Sequence, residues 1–498
     1  MREPAITRRQ AIAGIVGGTL ALWLGACGGG ARPSASGSTL ESIWGDPSGS
    51  GVLRVTGGIP LIDRTDLAPR AAPVAVLATL AHVSDAHVLD AESPARVPFL
   101  ARLGPPFTST FRPHETLTAH VLAGAVRAIG ALAPDAVIQG GDLIDNAQAN
   151  ELTRSLTVLT GGAVDPGSGA PGYHGIQQAG NPDPFYYRPD LDAPRHPGLL
   201  EAATAPFRAR GQATGHICPV LGDHDLLVQG IVAPTALTRQ IAIGDRAVWE
   251  LPSHLRVPVT AAASAVSPDG IARPAPVNSL IEQLAADAGV RVTADPDRRE
   301  HDAAEAVGRL RVAAGGSSGG ALLDYSLDLG EHVRLVVLDL VRRGGGSGGL
   351  VHAGQPQWLR EQLATAGTRW VLVVSHQPLT SSAGGGALLR VLDRHPRVLA
   401  AIWGHTHRNR VVPRRSAGGG YWLISTCSLI DFPQQARALQ VVATAGGGVA
   451  LRTWMLDHVS KDGLGDVSRQ LAYLDAHGGR PQGFAGGRLD ANVILHRA

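Results

Sequence analysis

Apolar residues in this chain gather into short runs that end abruptly on polar or glycine steps. Val74 to Leu80, Ala136 to Ile138, Ile217 to Leu221, Trp370 to Val374 and Val398 to Trp403 are β-type runs of this kind, and they read as strands. Val333 to Leu340, Tyr421 to Leu429 and Leu439 to Val442 add further β-type runs. Between them the period changes. Glu115 to Leu132 places Leu117, Val121, Ala125 and Ile129 four apart on one face and stops before Pro134, which predicts an amphipathic helix. Gln355 to Ala366, with Pro356 near its start, predicts a helix leading into the next strand, and 278–288 and 300–312 predict two more. Strands alternating with helices predict an α/β protein of two mixed β-sheets packed together, with helices outside.

Five of the strands carry polar islands at their carboxyl ends: Asp85-x-His87, Gly141-Asp142-x-x-Asp145, Gly222-Asp223-His224-Asp225, Ser375-His376 and Gly404-His405-x-His407. Ligands bind at the carboxyl ends of strands in open α/β sheets, so five strands can bring these tips to one place. The residue types point to metal chemistry. Asp and His at i and i+2 past a strand end project to the same side, and carboxylate with neutral imidazole suits Zn²⁺, Mn²⁺ or Fe. An Asp can bridge two ions through its two oxygens. Ions roughly 3.5 to 4 Å apart clamp a phosphoryl group and lower the pKa of water toward neutrality, so the expected reaction is hydrolysis of a phosphoester. One D-x-H, or one His past a strand, commonly occurs without a ligand. The argument rests on all five in order.

The set resembles the calcineurin-like metallophosphoesterase superfamily, whose blocks read D-x-H, G-D-x-x-D, G-N-H-[DE], H and G-H-x-H, across about Val74 to Asp457. The resemblance implies a four-layer α/β/β/α fold. It implies that Asp85, His87 and His407 hold one metal ion, that Asp142 bridges, and that Asp223, His376 and His405 hold the second. It also makes His224 the imidazole that contacts the phosphate and protonates the leaving oxygen, a role that general acid chemistry favours. Asp225 is expected to orient His224, and Asp85 to steer the nucleophile as well as to bind metal. The expected cofactors are two divalent transition-metal ions, Mn, Fe or Zn.

The chain departs from the family pattern at position 223, where Asp stands in place of Asn. Two divalent ions against two carboxylates leave a site of about +2, and a third carboxylate lowers it to about +1. Such a site tolerates a harder or trivalent ion. Asp145 occupies the position where purple acid phosphatases carry Tyr, so no tyrosinate-to-iron colour is expected. The long insertions and the missing Tyr favour a phosphodiesterase over a phosphomonoesterase or nucleotidase. The alternative from another class is a lipid-anchored binding protein without turnover. Against it, every carried-over position holds a residue able to coordinate or protonate.

The N-terminus and composition bound the rest. Thr7-Arg8-Arg9-Gln10 precedes the weakly apolar stretch Ala11 to Ala26, the pattern of a Tat export signal. The stretch is shorter than the roughly 20 apolar residues a membrane span needs. Leu24-Gly25-Ala26-Cys27 resembles a bacterial lipobox, which implies cleavage before Cys27, a lipid on its sulfur and an extracytoplasmic, membrane-anchored protein. Residues 27–51, rich in Gly, Ser and Ala, read as a flexible tether. Residues 52–73 read as a lead-in, 74–457 as the phosphoesterase domain with insertions at about 150–215 and 232–323, and 458–498 as a C-terminal extension.

Removing residues 1–26 takes Arg2, Arg8, Arg9 and Glu3 from totals of 44 basic and 42 acidic residues, leaving 41 of each. That balance argues against a nucleic-acid footprint. Cys218 and Cys427 fit either a disulfide or two buried thiols. The aromatics of Asp165 to Pro206, among them Tyr173, Phe185, Tyr186 and Tyr187, are expected to pack their own loop down rather than stack on substrate. Gly344 to Gly349 lacks a strand-to-helix phosphate fingerprint and is read as a flexible loop.

Overall fold

The computed structural model describes residues 33–103, 107–212, 215–230, 233–250, 289–478 and 484–497. The expected export signal, Cys27 and the helix at 278–288 lie outside them. In chain order the sheet strands are β1 (Ile62–Arg64), β2 (Pro73–Val83), β3 (Ala136–Gln139), β4 (His216–Pro219), β5 (Tyr325–Leu329), β6 (Val333–Leu338) and β7 (Trp370–Ser375). They continue as β8 (Val398–Trp403), β9 (Arg410–Arg414), β10 (Tyr421–Ser425), β11 (Gln435–Thr444), β12 (Val449–Asp457) and β13 (Val493–Arg497). One sheet has seven strands in the order β1-β13-β12-β11-β2-β3-β4, and the other has six in the order β5-β6-β7-β8-β10-β9. Strands β2, β3 and β4 run parallel, as do β6, β7, β8 and β10. Antiparallel neighbours such as β11 and β12 make both sheets mixed.

Side-chain alternation along the strands builds the layers. On β6, Val333, Leu335 and Val337 face the other sheet and join Leu80, Ile138, Leu372, Ile424, Leu439 and Val441 in the core between the sheets. The alternate residues Val336 and Leu338 face outward, where they meet Leu359 and Leu363 of α4 (Gln355–Ala364) and Leu388 and Leu392 of α5 (Gly385–Leu392). The seven-stranded sheet is covered by α1 (Thr118–Leu132), whose Val121, Leu122, Ala125 and Ile129 pack on Val83, Val137, Ala438 and Trp454. Each fully buried Leu, Ile or Val contributes about 1.5 to 3 kcal/mol. Because both faces of β7 and β8 are covered, all six residues of each are buried, which is why their sequences are unbroken apolar runs. Helix α1 ends as its sequence requires. Ala133 turns left-handed at φ 47°, its N–H bonds Gly130 O, and Pro134 disfavours continued helix at the residue before it. Further helices are α2 (Ala149–Thr160), α3 (Ala303–Ala313) and α6 (Leu464–His477).

Three segments differ from the sequence expectations. From Thr39 onward the Gly- and Ser-rich stretch is not a free tether. Thr39 is buried, its N–H bonds Met455 O at 3.1 Å, and its hydroxyl reaches Met455 O and Asn492. Ser42–Gly45 also pairs with Arg54–Gly57. Its hydroxyls and backbone groups find partners on the folded domain, which composition alone does not reveal. The lead-in and the C-terminal extension likewise enter the main sheet, as β1 and β13, while Leu464, Val467 and Leu471 of α6 pack against Leu117.

Cys218 and Cys427 are free, buried thiols, and burial pushes both up to about 12. Tyr173 and Tyr186 are buried, and they pack beyond their own loop: Tyr173 lies with Leu89 and Leu200, and Tyr186 with Phe111 and Ala247, its hydroxyl donating to Trp249 O of the second insertion at 2.8 Å. Among the described residues no helix is long and apolar enough to cross a membrane.

Candidate metal centre

Five parallel strands deliver the donors. Asp85 and His87 follow β2, Asp142 follows β3, Asp223 follows β4, His376 follows β7, and His405 and His407 follow β8. Asp85, His87, Asp142, His405 and His407 all have left-handed φ values, between 43° and 59°. For residues with a Cβ this costs about 1 to 3 kcal/mol each, and such strain gathers at functional sites. The D-x-H and H-x-H loops thus use the same twist at i and i+2, which turns both donors of each pair inward. The two loops are also tied together, since the His405 N–H donates to Asp85 Oδ1 at 3.0 Å and Oδ2 at 3.2 Å. Their close approach requires Gly404, where a Cβ would overlap Ser84 and Asp85.

The donors fall into two groups of four, Asp85, His87, Asp142 and His407, and Asp142, Asp223, His376 and His405, which share Asp142. In the first, His407 Nε2 lies 3.3 Å from both Asp85 Oδ1 and His87 Nε2, and His87 Nε2 lies 3.8 Å from Asp142 Oδ2. In the second, His376 Nε2 lies 3.1 Å from Asp142 Oδ2 and from Asp223 Oδ1, and His405 Nδ1 lies 3.2 Å from Asp223 Oδ1. The carboxylates, His87 and His376 are buried, whereas the side chains of His405 and His407 keep 24% and 15% exposure. Those two mark the open side of the site.

The arrangement fits metal cations. His87 Nδ1 sits 2.9 Å from Asp145 Oδ1, His407 Nδ1 2.5 Å from Asp431 Oδ2, and His376 Nδ1 2.9 Å from Gly140 O. These acceptors place the ring proton on Nδ1 and leave Nε2 as a bare lone pair. Two such lone pairs then face each other at 3.3 Å between His87 and His407, and His376 Nε2 is buried without a hydrogen-bond partner. Lone pairs and carboxylates converging in this way repel one another unless positive charge lies among them.

The proton affinities report the same field. Burial pulls His407 down, but Asp85 and Asp431 overcome it and lift it to about 9. Burial likewise opposes and Asp142 reverses the shift at His376, which ends well above its ordinary value. Burial would raise Asp85 and Asp223, yet the imidazoles hold both well below the usual carboxylate range. Cations bound here take the place of those protons.

His224 stands apart from both groups. Its Nδ1 lies 3.0 Å from Asp145 Oδ1 and 3.1 Å from Asp145 O, leaving Nε2 for another partner. Burial lowers its proton affinity, but Asp142 and then Asp145 lift it to about 10. The orienting carboxylate is therefore Asp145 rather than Asp225. Asp225 accepts the backbone N–H groups of Gly222, Leu143 and Ile144 at 2.8, 2.9 and 3.1 Å. Adjacency in sequence points Asp225 under the loop, where it locks two donor-bearing turns together. One Asp145 oxygen clamps both His87 and His224. Its place in the G-D-x-x-D block was the signal available for it. Gln377 donates to Asp223 Oδ1 at 3.0 Å, a neutral partner for the carboxylate that replaces Asn. Asp431 also escaped the sequence reading, although it follows β10, one more parallel apolar run.

Residues 317–409, which include His376, His405 and His407, match the family model of the calcineurin-like phosphoesterases. No curated protein matches the chain. Among solved structures, a dimetal phosphatase from Danio rerio is 15% identical over 77% of this chain and 100% of that one, with a TM-score of 0.40. The structure of PhoD is 10% identical over 85% of this chain and 80% of that one, with a TM-score of 0.30.

Proposed function

We propose that the chain is a member of the metallophosphoesterase superfamily, whose family model matches residues 317–409, and that it hydrolyses phosphate esters at a centre of two divalent metal ions, a diester before a monoester. The observation that carries this reading is the sharing of Asp142 between two groups of four donors. Asp85, His87 and His407 would hold one ion and Asp223, His376 and His405 the other, with Asp142 between them. When bound, the ions would activate water and neutralise charge on the phosphoryl oxygens. His224, held at Nδ1 by Asp145, carries a proton at Nε2 and gives it to the leaving oxygen.

Charge supports the diester. Two divalent ions set against Asp85, Asp142 and Asp223 leave about one positive charge. Arg96 and Arg112, whose charges reach Asp145, are already matched by Glu115 and Asp431. A diester brings one negative charge and a monoester dianion two, so the diester is the better match.

Purified protein should carry about two transition-metal ions per chain, and Asp142→Ala should lose both together with activity. With Mn(II) supplied, bis-nitrophenyl phosphate should turn over faster than nitrophenyl phosphate. A fully active metal-free preparation would sink the metal reading, and the opposite substrate order would reverse the diester assignment. From the sequence alone we also propose Tat export directed by Arg8-Arg9 and lipid attachment at Cys27.

A further inference from the structure

We propose that Arg112 and Asp431 form a positioning pair that aims His407 at the ion it shares with Asp85, His87 and Asp142, an inference that rests on the metal-centre reading above. Asp431 belongs to neither group of four donors. Its Oδ2 receives the His407 Nδ1 hydrogen at 2.5 Å, while Arg112 grips both of its oxygens, Nε to Oδ1 at 2.6 Å and Nη2 to Oδ2 at 3.1 Å. Arg112 and Asp431 are 6% and 9% exposed, so the pair is screened little by water.

Arg112 is itself held. Its Nη1 donates to Ser109 O at 2.8 Å and its backbone N–H to Glu115 Oε2 at 3.1 Å, and Glu115 is clamped by both terminal nitrogens of Arg96 at 2.7 and 2.6 Å. The Asp431 N–H bonds Ser428 Oγ at 3.0 Å. The carboxylate therefore has one position, and through it the His407 ring has one tautomer and one orientation. A ligating imidazole backed by a carboxylate is a stronger base than one backed by a carbonyl, and loss of such a partner typically costs 10- to 100-fold in metal affinity. His87 and His407 are both backed by carboxylates, whereas His376 is backed by the neutral Gly140 carbonyl. Asp431 thus acts on one half of the centre.

The test titrates metal-free, full-length protein with Mn(II) and follows the free ion by electron paramagnetic resonance. Wild type should take up two ions. Asp431→Asn should weaken one step by about 10- to 100-fold and leave the other unchanged. That variant also leaves the buried Arg112 charge unpaired and loses stability for that reason alone. The Arg112→Gln/Asp431→Asn double variant removes the stranded charge, so its melting temperature should recover while its one weakened Mn(II) step stays weakened. A double variant that binds both ions as wild type does, or loses both, overturns the positioning role while the metal centre stands. Wild type that binds no Mn(II) overturns the centre itself, and this inference with it.

Discussion

His224 and His376 lie close to the same Asp142 carboxylate, yet the atom that holds each Nδ1 gives them different tasks. The Gly140 carbonyl fixes His376 so that Nε2 meets two carboxylate oxygens at 3.1 Å, as a ligand would. Asp145 fixes His224 so that Nε2 remains outside both donor groups, as a proton donor would. Removing a general acid costs about 10² to 10⁴ in rate, and less where the leaving group departs unprotonated. His224→Asn should therefore keep its metals, lose turnover by that range on an alkyl ester, and lose less on a nitrophenyl ester. His376→Asn should lose one ion and fail on both. Metal analysis with the two substrates checks this, and equal losses on both esters for His224→Asn would show that it is not the acid. The residue types of both histidines are legible in sequence. Their second nitrogens are not, because Gly140 and Asp145 reach them across separate loops.

At the scale of elements, the strand ends carry the function and the strain. The turns after β2, β3 and β8 reverse direction immediately after a buried strand, and the five ligands they carry, Asp85, His87, Asp142, His405 and His407, take left-handed φ values there. Gly141, at φ 93°, makes the turn before Asp142 and lies against the His376 ring, where a Cβ would overlap. Gly141→Ala should cost about 1 to 3 kcal/mol of stability through its backbone conformation. By displacing His376 it should also cut turnover by about 10²-fold, the usual penalty for a misplacement near 1 Å. Thermal unfolding and metal content measured together check both effects, with the loss of metal confined to the His376 half.

The strands nearest the site were the most legible elements, because burial on both faces leaves an unbroken apolar run. Strands β12 and β13 and helix α6 were not read. Their segments mix Arg452, Thr453, His496 and Arg497 into the pattern, polar residues that the fold buries or half-buries against partners far along the chain.

For the whole molecule, the seven-stranded sheet draws strands from both ends of the described chain. Its edge is β1 beside β13, so the lead-in and the C-terminal segment belong to the same folded body as the metal centre. The described chain starts at Pro33 and is already packed at Thr39. An anchor at Cys27 would therefore leave only the residues before Thr39 as a tether, shorter than the 27–51 stretch that composition suggests. Replacing Arg8 and Arg9 together by Lys should leave precursor in the cytoplasm, and Cys27→Ala should release the protein from the membrane fraction. Cell fractionation with lipid labelling checks both, and a labelled, membrane-bound Cys27→Ala variant would remove the lipobox.

The α/β class, the two sheets and all seven candidate ligands were readable from the chain alone, since a buried strand and its polar tip are written in consecutive residues. The partners that aim those ligands were decided by packing. Arg112 and Asp431, 319 positions apart, meet only because the loop after β10 comes to rest on the segment before α1. Asp145 displaces Asp225 as the partner of His224 because the turn after β4 points its last carboxylate into a nest of backbone amides. Local pattern specifies which groups stand at a strand end, whereas their hydrogen-bond partners depend on distances between strands that no short stretch of sequence contains.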